Sequence, residues 1–119
     1  MGKFTVSKAF LSSRNVGSVV LVTFPFSNLK GQKVRPALVL ANVEFGNLIL
    51  CQITSKSYSS KTAISIKSED FATGNLPITS FVRPDKLFTA DPIIIKDTAG
   101  QLTPAIKKKI LNNVRKLFT

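Results

Sequence analysis

Between residues 18 and 96 the chain is a succession of apolar, β-branched runs, each cut short by glycine, proline or a polar cluster. That punctuation constrains the fold more than any other feature, because runs so short suit strands and are too short for helices. SVVLVTF at residues 18–24, bounded by Gly17 and Pro25, predicts a first strand. A polar loop at 25–33 carries Lys30 and Lys33, and a second strand is expected to start near Pro36. A Gly46-Asn47 turn then sends LILCQIT, residues 48–54, back as its hairpin partner. Residues 55–61 read as a Ser/Lys loop and TAISIK at 62–67 as an alternating strand. Ser68-Glu69-Asp70-Phe71 resembles a single capped helical turn, strands at 80–82 and 86–88 flank Arg83-Pro84-Asp85, and DPIIIK at 91–96 predicts another short strand. Pro84 has no N–H and forces an extended residue before it, so it belongs at a strand edge or bulge.

One segment has a different period. Ile106, Ile110, Leu111, Val114, Leu117 and Phe118 recur at helical spacing after Thr103, a possible cap, and Pro104, suited to the first helical position. The expected class is therefore mostly β (α+β): a small, strongly bent antiparallel sheet or barrel with a C-terminal amphipathic helix packed outside. Residues 1–16 show no sustained period and read as a leader or arm, leaving 17–119 as the domain.

Of 119 residues, 17 are Lys or Arg and 6 are Asp or Glu, a net charge of +11. A surface so positive suits a polyanion such as nucleic acid, an anionic membrane or an acidic protein tail, although a lysine-rich solvated surface has the same composition. Cys51 is the single cysteine, lies in an apolar run, and reads as a small core residue in a reducing compartment. The N-terminal twenty residues hold no continuous apolar stretch of signal or membrane-spanning length, so a cytoplasmic location is expected.

Chemistry is narrowed by the absence of histidine. A chain with no His and one Cys cannot supply the usual N/S ligands of zinc or run a Ser-His-Asp relay, and it carries no Gly-rich phosphate loop. No metal and no cofactor are expected. The groups that remain are arginines, hydroxyls and aspartates, and these suffice for one reaction. RNA carries its own nucleophile, the 2′-OH, beside each phosphorus, so what is needed is a base, an acid and fixed cations. Three segments place such groups where apolar runs turn polar: Val34-Arg35-Pro36, Ile53-Thr54-Ser55 and Val82-Arg83-Pro84-Asp85. Extended residues i and i+2 share a face, so Arg83 and Asp85 would share a site unless a bulge at Pro84 separates them. An Arg-x-Asp pair is also the pattern of an ordinary structural ion pair, and Thr54-Ser55 that of turn hydroxyls.

Gly17-Ser18-Val19-Val20-Leu21-Val22, Val34-Arg35-Pro36-Ala37-Leu38-Val39-Leu40 and Cys51-Gln52-Ile53-Thr54-Ser55, in this order and spacing, resemble the MazF/PemK toxin family. Val82-Arg83-Pro84-Asp85 followed by Thr89-Ala90-Asp91 is similar to its PemK/Kid branch. The resemblance implies an SH3-like barrel of the CcdB/MazF/Kid toxin fold that forms a homodimer, cleaves single-stranded RNA without a metal and is neutralised by a cognate acidic antitoxin. By position it implies Asp85 as general base, Arg83 as general acid or phosphate ligand, Arg35 as transition-state stabiliser, and Thr54 and Ser55 as substrate contacts. The Lys30/Lys33 loop, with Arg35 and Arg83, is the expected docking surface for the antitoxin tail. Ser18 stands where the family often has an acidic residue. Two other readings fit the charge: a non-enzymatic basic barrel that binds nucleic acid, and a gyrase poison of the same fold. Base-stacking aromatics would mark the former, but Phe24, Phe26, Phe81 and Phe88 lie in or beside apolar runs and are expected in the core.

Overall fold

The computed structural model describes residues 15–25, 32–56 and 61–119. Most of the expected arm at 1–16, together with Phe26 and Lys30, lies outside the described residues. Seven strands form one antiparallel sheet: β1 (Ser18–Pro25), β2 (Gln32–Asn42), β3 (Leu48–Thr54), β4 (Ile64–Ile66), β5 (Phe71–Gly74), β6 (Ser80–Ala90) and β7 (Ile95–Leu102). A single helix, α1 (Pro104–Lys116), follows. The order across the sheet is β4-β6-β3-β2-β1-β7-β5, so β4 and β5 are its edges and the expected bent sheet is a curled half-barrel.

Apolar residues line both faces. Successive side chains of a strand point to opposite faces, and the central strands are apolar at both parities, so two cores form. One gathers Val19, Leu38, Leu40, Cys51, Ile53, Val82 and Leu102 beneath α1, whose Ile110 is fully buried among them. The other, on the opposite face, gathers Val20, Val22, Ala37, Val39, Leu48 and Leu50, with Phe88, Ile94 and Ile95 packed against it. Cys51 is buried as its apolar surroundings suggest.

The β2–β3 hairpin closes through a 3₁₀ turn (Glu44–Gly46) in which Phe45 (φ 61°) and Gly46 (φ 75°) are both left-handed. Glycine adopts that region freely; Phe45 does so at a cost and stands almost fully exposed.

Several elements differ from the sequence expectation. β2 starts at Gln32, four residues before Pro36, because β1 pairs with that segment from Pro25↔Gln32 onwards. Residues 92–94 form a 3₁₀ turn rather than a strand, since Asp91 accepts from the Ile93 N–H at 2.9 Å and Pro92 fixes the first turn position; the strand follows as β7. β5 was unforeseen; at the sheet edge it is exposed at three of its four positions and has no apolar alternation. Its partner at Gly100 must be glycine, as a Cβ there would collide with the Thr73 carbonyl. Thr103 is the N-cap of α1, but its hydroxyl makes no capping bond. Leu117 and Phe118 lie beyond the helix and are exposed, so the packed face ends at Val114.

Candidate active site

The second core stops abruptly along one row of the sheet. On β2, Val39 and Ala37 are buried and Arg35, next on that face, is exposed; on β3, Leu48 and Leu50 are buried and Gln52 is exposed. The register sets Ala37 opposite Gln52 and Gln52 opposite Arg83. Polar groups therefore take over the face where the apolar pattern of three strands ends together.

Pro36 contributes to the opening. The β2–β3 ladder ends at Ala37↔Gln52, while β2 continues its pairing with β1 through Pro36↔Leu21 and Arg35↔Val22. Proline has no N–H to offer a second neighbour. Where the ladder ends, a groove of about 620 Å³ opens, lined by Arg35 and Pro36 from β2, by Ile53, Thr54, Ser55 and Lys56 from the end of β3, and by the 75–78 segment. Its charged lining residues, Arg35 and Lys56, are both cations. The Lys56 N–H donates to Thr54 Oγ1 at 3.1 Å, a turn that fixes the Thr54 side chain at the groove.

Arg83 and Asp85 face each other in spite of Pro84. Cys51 pairs with Leu87 and Gln52 with Arg83, so Pro84, Asp85 and Lys86 bulge out of the ladder. The Pro84 ring is fully buried and anchors the bulge. Arg83 Nε donates to Asp85 Oδ1 at 3.0 Å and Nη2 to Oδ2 at 2.9 Å, a two-pronged pair with the Asp85 side chain 37% exposed. Thr62 Oγ1 donates more weakly to the same Oδ1, at 3.4 Å. The hydrogen bonds from Arg83 hold the Asp85 carboxyl below the usual carboxylate range, assisted by its own backbone and by Thr62, against a smaller desolvation effect. Beneath the bulge, burial pushes the Cys51 thiol up to about 12, and the negative charge of Asp85 adds to the effect. A thiol so suppressed is not a nucleophile.

The structure thus gathers the expected residues into two neighbouring groups. Arg35, Thr54 and Ser55 line one groove. Arg83 and Asp85 form a pair outside that lining, two strands away from Arg35 on the same face, a lateral distance of about 10 Å from the strand spacing. Lys33 is exposed on β2 but does not line the groove, and Lys30 lies outside the described residues. Three features escaped the sequence reading: Gln52 between the groups, Thr62 on Asp85, and the 75–78 wall. Gln52 was legible, because it follows Leu48 and Leu50 at period two. Thr62 was not, because its contact spans 23 residues. Among the described residues no three His, Cys, Asp or Glu side chains cluster closely enough to hold a metal ion.

Comparison with known proteins agrees with this architecture. Residues 15–118 match the family of PemK-like, MazF-like toxins of type II toxin-antitoxin systems. No curated protein sequence is significantly similar to the chain. Among solved structures, MazE-MazF from Deinococcus radiodurans superposes with a TM-score of 0.70 at 18% identity, covering 87% of this chain and 94% of that one. An endoribonuclease in complex with its cognate antitoxin from a Mycobacterial species gives 0.63 at 19% identity, covering 86% and 91%. The Mycobacterium tuberculosis toxin MazF-mt6 gives 0.65 at 17% identity, covering 85% and 95%. At such identities the likeness carries the fold.

Proposed function

The chain belongs to the PemK-like, MazF-like toxin family of type II toxin-antitoxin systems, and on that premise we propose that it is a metal-independent endoribonuclease acting on single-stranded RNA. The observation that carries this reading is the Arg83–Asp85 pair, solvent-accessible and on the same sheet face as Arg35 and Thr54. It offers the charge and the base that RNA cleavage needs.

In the reaction the 2′-oxygen attacks the adjacent phosphorus and the bond from phosphorus to the 5′-oxygen breaks, giving a 2′,3′-cyclic phosphate and a 5′-hydroxyl. Asp85 takes the 2′-OH proton, and water protonates the leaving oxygen. Arg83 acts chiefly by charge, since an arginine pKa above ~12 makes it a poor acid. Arg35 stabilises the non-bridging oxygens as charge builds on them. Thr54 and Ser55 hold the strand in the groove, and Lys33 with Lys30 draws in its flanking phosphates. Asp85 tied to both prongs of Arg83 is a weak base. A bound phosphate competes for that guanidinium, releasing the carboxylate when substrate is present.

The same cations suit an acidic antitoxin segment, which would block the groove by occupying Arg35 and Arg83. The D. radiodurans and mycobacterial relatives in complex with antitoxins support that partner. A homodimer and a cytoplasmic site of action complete the proposal. Incubation of the purified protein with a long single-stranded RNA in EDTA tests it. Cleavage that is lost in Asp85→Asn is the expected result; intact RNA, or equal cleavage by both proteins, refutes it.

A further inference from the structure

A second cavity, of about 480 Å³, lies on the other side of the 75–78 segment from the groove that holds Arg35. The two share Asn75, Leu76, Pro77 and Ile78 as a common wall. That wall is tied at both ends. The Asn75 N–H donates to the Ala99 carbonyl at 3.2 Å, Asn75 Nδ2 donates to Ser68 Oγ at 2.9 Å, and Ser80 Oγ donates to the Ile78 carbonyl at 2.9 Å. Pro77 and Ile78 are exposed on it as an apolar crest.

The cavity's volume falls within the roughly 300–1,000 Å³ of small-molecule sites. Its inner lining includes buried Ile66 and the half-buried ring of Phe71, while Ser68, Glu69 and Thr79 are its exposed polar residues. An apolar, aromatic floor with hydrogen-bonding groups at the rim fits a flat heterocycle with polar edges. A carboxylate at that rim repels a phosphate and accepts from an amino group. Glu69 therefore argues for a base rather than for the backbone, and against an acidic peptide.

We propose that this cavity is a nucleobase subsite, which takes the base of a nucleotide flanking the scissile one and favours amino-bearing bases over uracil through Glu69. The proposal rests on the endoribonuclease reading above. An RNA strand whose phosphates lie along Arg35 and Lys56 crosses the Pro77-Ile78 crest, and its next base drops beside Phe71. Uracil presents two carbonyls and a single N–H, whereas adenine, cytosine and guanine each bring an amino donor to the carboxylate.

Cleavage-site profiling on a randomised single-stranded RNA pool, with wild type, Glu69→Gln and Thr79→Val, tests the subsite. The wild type should disfavour uracil at one flanking position by about tenfold or more, the order expected of a well-made polar contact to a base edge. Glu69→Gln should bring that ratio close to one at that position only, and Thr79→Val should lower it there alone. A preference unchanged at every position in both variants overturns the subsite while leaving the endoribonuclease reading intact. No cleavage by the wild type overturns both. Should Glu69→Gln gain affinity for a poly-aspartate peptide with base preference unchanged, the cavity belongs to an acidic peptide and the proposal falls.

Discussion

The Arg83–Asp85 pair can be read as a structural ion pair or as reaction machinery, and the two readings differ in magnitude. Its side chains are 17% and 37% exposed, so solvent screens the attraction and the pair belongs with surface salt bridges, which contribute roughly 0.2–1 kcal/mol. For a domain of this size that is a shift in Tm of about 1–4 °C. Removing a general base costs about 10²–10⁴-fold in rate, far more than so small a loss of stability can cause. Asp85→Asn, Arg83→Gln and the double variant, measured by urea denaturation and by single-turnover RNA cleavage, separate the readings. The stability coupling should be below about 1 kcal/mol at pH 7, with cleavage down at least 100-fold. The sign of its pH dependence is fixed: Asp85 has a lowered pKa in the folded state, so its stabilisation is present above the unfolded value and fades as pH falls through the lower, folded one. A coupling above about 3 kcal/mol, in the range of a broken buried pair, with activity lost only in step with folding, would refute the reasoning.

Other expectations follow from the same geometry. The acid limb of kcat/KM, which reports the free enzyme, should lie below the usual carboxylate range, and that of kcat at higher pH, because a bound phosphate draws Arg83 away from Asp85; coincident limbs in a pH–rate profile would contradict this. Ile110→Ala, at the fully buried contact of α1 with the first core, should lose about 2–5 kcal/mol in urea denaturation, and a loss below 1 kcal/mol would mean that the helix contributes little to that core. Cys51, with its thiol pushed up to about 12, should resist alkylation at pH 8 until the protein is unfolded, as followed by mass spectrometry.

What the sequence disclosed depended on how locally each feature is encoded. β3 was legible residue for residue, because a glycine turn precedes LILCQIT and a polar cluster follows it. The helix was legible from its period and from Pro104. β5 and β7 were not, since edge and near-edge strands such as IKDTAGQL bury few side chains and carry little alternation. At the site, the bulge was foreseeable from Pro84 and the shared orientation of Arg83 and Asp85 from their spacing. The separation of Arg35, Thr54 and Ser55 from that pair was not, because it depends on strand order, which places β3 between β2 and β6. The Asn75–Ile78 wall is held by contacts to Ser68, Ala99 and Ser80, and a single sequence gives no sign of such distant partners.

The account's central claim is that the substrate's own 2′-OH is the nucleophile and that Asp85 activates it. End-group analysis of the products from an RNA oligonucleotide, run in EDTA beside the same oligonucleotide with one deoxyribose at the mapped cleavage position, tests this most directly. A 2′,3′-cyclic phosphate and a 5′-hydroxyl from the RNA, with the singly substituted strand left intact, is the predicted result. A 5′-phosphate product, or cleavage of the deoxy-substituted strand at the same bond, would contradict it.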